Sequence, residues 1–222
     1  MPTSTVEDYL KSILLAEQGT AGALVPMGQV GAARGVAPGT VTAMVKALAD
    51  SGLLTYEPYT GVRLTRAGRQ LATHVLRRHR LLELFLVEVL GMDWSEVHAE
   101  AERLEHAVSD QLIERVDAML GFPSVDPHGD PIPDARGIVP ASAPATLLRG
   151  PVGERLRVAR VGDQSEEFLR LVERQGLKPG AALVIEGRDG AADTVAIRLE
   201  SGERVSLGGR AASKILVEPH PG

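Results

Sequence analysis

The chain of 222 residues contains no cysteine. That absence excludes disulfides, cysteine-ligated zinc, iron–sulfur clusters and thiol nucleophiles. Aromatic residues make up only 3%, so any core must be built from Leu, Val and Ala. No apolar run approaches the ~18 residues that a membrane-spanning helix needs. The segment Met1-Pro2-Thr3-Ser4-Thr5 lacks the basic and apolar blocks of a signal peptide. A cytoplasmic location and no membrane partner are therefore expected. The net charge of −5 argues against bulk attraction to nucleic acid but leaves local patches open.

The charge is unevenly placed. Between Pro58 and Leu82 there is no acid, whereas Arg63, Arg66, Arg69, Arg77, Arg78 and Arg80 fall there. From Glu83 to Asp117 ten acids face only Arg103 and Arg115. A basic segment followed by an acidic one suggests an anion partner and a cation partner, the alternative being two solvated helix faces.

Residues 4–18 read as a helix, and 27–34 as a short one broken at Gly35. Pro38 suits the first turn of a third helix, because its missing N–H needs no partner there. In that helix Val41, Met44, Val45 and Leu48 form one apolar stripe, and Gly52 is a natural left-handed stop. Leu54–Glu57 and Val62–Leu64 read as a β-hairpin around Pro58-Tyr59-Thr60-Gly61. Thr65 can cap a long helix that Gly91 stops near Leu90. Asp93 with Glu96 resembles a capping box for a helix over 94–107, and Ser109 can cap another ending at Gly121. Seven prolines from Pro123 to Pro151 then mark a stretch that reads as a linker. Strands follow at 155–161, 183–187, 194–199, 204–207 and 215–218, interrupted by a helix near 164–175. The expected fold is mainly α with a small all-β domain. Its parts are 1–72, a winged helix-turn-helix; 73–140, a helical unit; and 146–219, a small β-barrel.

Three helices and a hairpin match a DNA-binding winged helix. Its third helix leaves Pro38, Gly39, Thr40, Thr42, Ala43 and Lys46 facing outward. Small side chains there allow close approach to a major groove, Thr can touch base edges, and Lys46 and Arg63 can reach phosphate. Such a fold can also serve as a protein-interaction module.

The acidic segment carries a second pattern. On a helix advancing ~100° per residue, Glu102, Glu105 and His106 fall within ~80° of His98, beside an apolar seam of Val97, Ala101, Leu104 and Val108. Acids and imidazoles beside a buried seam are costly unless neutralised, and a divalent cation would do that. His79 and Glu83, at i and i+4 on the preceding helix, offer a second ligand pair.

These features together resemble the diphtheria toxin repressor family of metal-dependent transcriptional regulators, in its long form with a C-terminal SH3-like (FeoA-like) domain. The resemblance rests on Arg78-His79-Arg80-Leu81-Leu82-Glu83, on Glu105-His106-Ala107-Val108-Ser109-Asp110 and on Gly129-Asp130-Pro131-Ile132-Pro133. It implies a homodimer that binds palindromic double-stranded operator DNA when loaded with Fe²⁺ or Mn²⁺ and acts on no small-molecule substrate. It implies one metal site of His79, Glu83 and His98, and a second of Glu105, His106 and Glu102 with Asp8 from the first helix. Iron-sensing members place Cys and Met where Glu102 and Asp8 stand, so the resemblance leans towards Mn(II). Lys11 departs from the short manganese-sensing members, which carry Glu there. Arg80 matches a residue that holds an anion in some members, although Asp126 and Asp130 replace neutral neighbours. In the SH3-like domain, aligning on Phe168 puts Gln164 and Glu167 at positions that can complete a metal site. The resulting expectation is a Mn(II)-loaded repressor of metal homeostasis and not an enzyme. The alternatives are an Fe(II)-dependent repressor of iron uptake, a two-metal hydrolase, or a metal-responsive interaction or storage module.

Overall fold

The computed structural model describes residues 3–20, 22–139 and 144–220. The chain forms two compact units. The first comprises residues up to His79, with Glu105–Val108 and Pro133–Val139; the second comprises Arg80–Leu104, Ser109–Ile132 and the chain from Pro140 onward.

The first unit begins with α1 (Ser4–Gln18), α2 (Met27–Arg34) and α3 (Pro38–Asp50). Thr3 Oγ1 caps α1 by accepting from the Val6 amide. Gly35 ends α2 at φ +62°, and Pro38 opens α3 in its first turn. The expected stripe on α3 is buried at Val41, Val45 and Leu48, while Met44 is half-buried against the same core. Strands β1 (Leu54–Glu57) and β2 (Gly61–Leu64) form the hairpin, with Leu54 opposite Leu64. Their inward residues join Leu10, Ile13, Val30 and Leu76 in one core of mostly aliphatic side chains. Burying such side chains contributes about 1.5–3 kcal/mol each, and this holds α3 with its outer face exposed. Helix α4 (Arg66–Glu88) then starts under a Thr65 cap, Oγ1 accepting from the Gly68 amide at 3.1 Å.

The second unit contains the rest of α4, α5 (Val97–Leu104) and α6 (Asp110–Met119). The expected helix over 94–107 is shorter at both ends. Asp93 does not make a capping box: its Oδ1 accepts from the Ser95 amide at 2.8 Å, an Asx turn that delays the helix. Glu96 instead accepts from Arg170. Residues 105–107 leave the helix and form turns. Ser109 caps α6 as expected, and Gly121 follows its end at φ +74°.

The proline-rich stretch is not a bare linker. Residues 124–132 fold into an ordered turn closed by Asp126 N→Asp130 O and Ile132 N→Ser124 O, with Ile132 buried. Beyond it lie β3 (Ala145–Thr146), β4 (Arg155–Val161), α7 (Glu166–Arg174), β5 (Ala182–Asp189), β6 (Thr194–Leu199), β7 (Arg204–Gly208), α8 (Gly209–Ala212) and β8 (Ile215–Pro219). They form one antiparallel sheet in the order β3-β8-β4-β5-β6-β7. The expected barrel is thus an open sheet. Its edge strand β3 is two residues long and, among the described residues, pairs only with β8, too short to close onto β7. Phe168, Leu169 and Val172 of α7 pack with Trp94 into the sheet's core.

Candidate metal centres and DNA-facing helix

One turn of α1 presents Glu7, Asp8 and Lys11, and the turn after α5 presents Glu105 and His106. Glu105 is fully buried. Its Oε1 accepts from Lys11 Nζ at 2.6 Å and its Oε2 lies 2.6 Å from His79 Nδ1. His106 places Nδ1 at 2.6 Å from Glu7 Oε2 and Nε2 at 2.8 Å from Asp8 Oδ1. A neutral imidazole carries one N–H. With a carboxylate against each ring nitrogen, the second nitrogen calls for a further proton or a metal ion. One donor atom each from Asp8, Glu105 and His106 lie within 4.8 Å of one another. Two carboxylates and an imidazole form a donor set that suits Mn²⁺ or Fe²⁺.

The sequence expectation put Glu105 and His106 on the helical face of His98. The structure reaches the cluster differently: α5 stops at Leu104, and the turn beyond it delivers both side chains to α1. The long-range partners Lys11, His79 and Asp8 replace the helical ladder.

In the second unit Glu83 is fully buried on α4. Its Oε1 lies 3.0 Å from His98 Nδ1, and Glu102 approaches the other nitrogen of His98 at 3.9 Å. His79 precedes Glu83 by one helical turn on α4. Glu83 also meets two residues of the proline-rich turn: donor atoms of Glu83, Asp126 and His128 lie within 4.8 Å, all three residues buried. His128 Nε2 pairs with the Trp94 carbonyl at 2.9 Å and is therefore the donor. Its Nδ1 then carries a lone pair in the neutral ring. That atom and Asp126 Oδ2 are buried with no hydrogen-bond partner among the described residues. Two orphaned acceptors beside a buried carboxylate are what a bound cation would satisfy.

The electrostatics agree. Burial pushes the Asp126 carboxyl up to about 7, and the negative neighbours Glu83 and Asp130 add to the rise. Burial alone would lower the His128 pKa, but the neighbouring Glu83, with Asp126 behind it, raises it overall.

The sequence does not single out His128, and Asp126 counts there only as a departure that weighs against an anion site at Arg80. The available signal was the Asp126-Pro127-His128 spacing inside a stretch taken for linker. The doubt that Asp126 and Asp130 cast on anion binding at Arg80 has a structural counterpart. The Arg80 guanidinium lies 3.6 Å from Asp126 and 3.5 Å from Asp130, and it donates to the Pro131 carbonyl. The chain's own carboxylates fill that place.

Gln164 donates to Asp130 Oδ2 at 2.9 Å, and Glu167 is exposed on α7. Among the described residues neither joins a ligand cluster.

On α3, Pro38, Gly39, Thr40, Ala43 and Lys46 are exposed, and Thr42 is half-buried with its hydroxyl donated to the Pro38 carbonyl at 2.9 Å. Arg63 is exposed on β2 and donates to the Gly22 carbonyl.

Residues 1–62 match the family described as iron dependent repressor, N-terminal DNA binding domain, and residues 65–134 its metal binding and dimerisation domain. Residues 145–219 match the FeoA domain. Among curated proteins, the iron-dependent repressor IdeR of Mycobacterium bovis is 33% identical over 191 residues, 81% of this chain and 82% of that one. The diphtheria toxin repressor of Corynebacterium glutamicum is 36% identical over 174 residues, 75% of this chain and 74% of that one. Among solved structures, a manganese-dependent transcriptional repressor in complex with manganese matches with a TM-score of 0.89 at 40% identity. That match covers 97% of this chain and 100% of the other. The manganese regulator SloR matches at 0.77 with 32% identity, covering 99% and 100%.

Proposed function

Because the chain belongs to the iron-dependent repressor family, we propose that it is a metal-dependent transcriptional repressor that binds palindromic operator DNA as a homodimer when loaded with Mn²⁺. The observation that carries the choice of metal is the oxygen-rich cluster of Asp8, Glu105 and His106 on the DNA-binding unit. Carboxylate-rich sites suit Mn²⁺, and the chain offers no thiolate that would favour softer metals. The bound metal supplies a divalent charge that several carboxylates can share. Asp8 brings that charge to α1, and Glu105 and His106 anchor it from the turn after α5. The metal-loaded arrangement is then favoured to the extent that these ligands hold the ion better there than in other arrangements.

Glu83, Asp126 and His128 form a second centre in this reading, with His98 on the other side of Glu83. His79 and Glu102 stand next to the two centres, whereas Gln164 and Glu167 hold no metal. In this division residues 1–72 bind DNA, 73–140 hold metal and dimerise, and 146–219 form an accessory domain. Two copies of α3 must meet successive major grooves about 34–36 Å apart, so small displacements decide binding. Thr40 and Ala43 read base edges, and Lys46 and Arg63 contact phosphate. No residue has a catalytic role, and the protein works in the cytoplasm, on DNA.

A gel-shift titration with DNA upstream of its own gene and of neighbouring metal-transport genes tests this. A chelator should abolish specific binding and Mn²⁺ restore it. Equal affinity of chelated and loaded protein would refute it. Stronger activation by Fe²⁺ under anaerobic conditions would transfer the reading to iron.

A further inference from the structure

Asp8 has two carboxylate oxygens with different neighbours. Oδ1 faces His106 Nε2 at 2.8 Å. Oδ2 accepts a hydrogen bond from Arg34 Nη2 at 2.7 Å. The pair is partly buried, the side chain of Asp8 being 16% exposed and that of Arg34 24%. The guanidinium also lies over the ring of Tyr9, its central carbon 5.9 Å from the centroid, and Tyr9 is buried in the core. Arg34 is therefore held on two sides.

Its place in the chain matters as much. Arg34 is the last residue of α2. Gly35 follows in a left-handed conformation, and the N-cap of α3 is Ala37. The ion pair thus connects a carboxylate on α1 to the turn that sets the start of the DNA-facing helix. A carboxylate offering one oxygen to a metal must have its other oxygen fixed, or both oxygens and several rotamers compete for the ion. Partners that fix a ligand in this way typically govern about 10–100-fold in metal affinity.

We propose that Arg34 is a positioning residue: by holding Asp8 Oδ2 it leaves Oδ1 as the metal ligand and carries metal occupancy into the α2–α3 turn. The proposal rests on the reading of Asp8, Glu105 and His106 as a metal centre. It assigns to α2 a role in the metal response that needs no contact with the metal itself. Lysine could supply the charge but not a directed planar donor that also stacks on Tyr9.

The test uses the full chain with Arg34→Ala, Arg34→Lys, Asp8→Asn, the Asp8→Asn/Arg34→Ala double variant and His106→Ala. Mn²⁺ affinity is measured by calorimetry, and operator affinity with and without saturating Mn²⁺. Circular dichroism confirms a native helix content in each. Arg34→Ala should weaken Mn²⁺ binding about 10–100-fold and reduce the metal-induced gain in operator affinity at least about fivefold. Arg34→Lys should fall between that variant and the wild type. In the Asp8→Asn background, removal of Arg34 should change Mn²⁺ affinity by less than about twofold, because its effect passes through Asp8.

Mn²⁺ affinity of Arg34→Ala within twofold of wild type would overturn the proposal. So would additive losses in the double variant. A fall in operator affinity that is equal with and without metal would mark Arg34 as a mere DNA contact and overturn it too. His106→Ala separates the two levels. If that variant binds Mn²⁺ like the wild type, the metal-centre reading itself fails; if it loses Mn²⁺ while Arg34→Ala does not, only the role of Arg34 fails.

Discussion

His128 and Glu83 face one another with Nδ1 and Oε2 3.8 Å apart, and the other nitrogen of His128 is committed to the Trp94 carbonyl. The separation exceeds a hydrogen bond and suits two donors converging on an ion. What fixes it is backbone: the His128 carbonyl accepts from the Val161 amide at 2.9 Å. Gly129 follows at φ +85°, where an added Cβ would come within 2.0 Å of the Ala159 carbonyl oxygen. Gly129→Ala should therefore displace His128 and Asp126 together and cost about 2–4 kcal/mol of stability. Calorimetry should show bound Mn²⁺ falling from two ions per chain to one. Unchanged stoichiometry would remove Asp126 and His128 from the ligand set.

Asp126→Asn separates charge from shape at the same place. With its folded value at about 7 against an ordinary 3.8, the folded state favours the protonated acid. In chelator, that contribution to stability is present below about pH 4 and is lost as pH rises towards 7. Asparagine has nothing to ionise. In chelator the variant should exceed the wild type by roughly 4 kcal/mol at pH 7.5, and the two should converge near pH 4. Addition of Mn²⁺ should raise the Tm of the wild type more than that of the variant. Melting curves across pH, with and without metal, decide it. A variant less stable than wild type in chelator at pH 7.5 would contradict a carboxyl raised by burial and by its negative neighbours.

Much of this arrangement could be read along the chain and some of it could not. The stripe Val41, Val45, Leu48 follows from helical period alone, and the stops at Gly35, Gly91 and Gly121 from the need for positive φ. Glu105 and His106 are legible as ligand types and Asp8 only through the family resemblance, but the wheel that joins Glu105 and His106 to His98 needs a helix that continues past Leu104, where α5 stops. Lys11 and His79, distant in sequence, set the turn instead. His128 was invisible for a related reason. It lies in a proline-rich stretch with no period, and its direction comes from hydrogen bonds to the strand around Val161.

Phe122 is a bulky aromatic at φ +58° and is 73% exposed. A left-handed backbone is costly for such a residue, and solvent gives nothing back for an exposed ring. Leu112 and Met119, one heptad apart on α6, are exposed as well. A second copy of the chain covering these side chains would account for the pattern. Phe122→Asp should raise the dimer dissociation constant at least about 30-fold, the loss of about 2 kcal/mol expected for a central aromatic. Sedimentation across protein concentrations would measure it, with operator affinity falling in parallel. A dimer as tight as wild type would place the interface elsewhere.

Lys11 already does, without metal, part of what a metal does. Its ammonium sits 2.6 Å from Glu105 Oε1, with both side chains buried. The same oxygen lies 3.4 Å from His106 Nε2, so it belongs to the cluster that would hold the ion. A cation entering between Asp8, Glu105 and His106 must share Glu105 with Lys11 or displace it. Lys11→Met keeps the length and apolar stem of the side chain but removes the charge. In chelator, Glu105 is left with the imidazoles of His79 and His106, and breaking a buried pair in this way costs about 3–5 kcal/mol. With Mn²⁺ the sign reverses, because the ion no longer competes with an ammonium and neutralises a carboxylate that would otherwise be under-compensated. The variant should thus melt lower than wild type in chelator, bind Mn²⁺ about tenfold more tightly, and recover most of its Tm on loading. Tighter metal binding should also lower the Mn²⁺ concentration at which the operator is half-bound. Weaker Mn²⁺ binding by Lys11→Met would mean that Lys11 supports the metal-loaded centre, and the competition argument would fall.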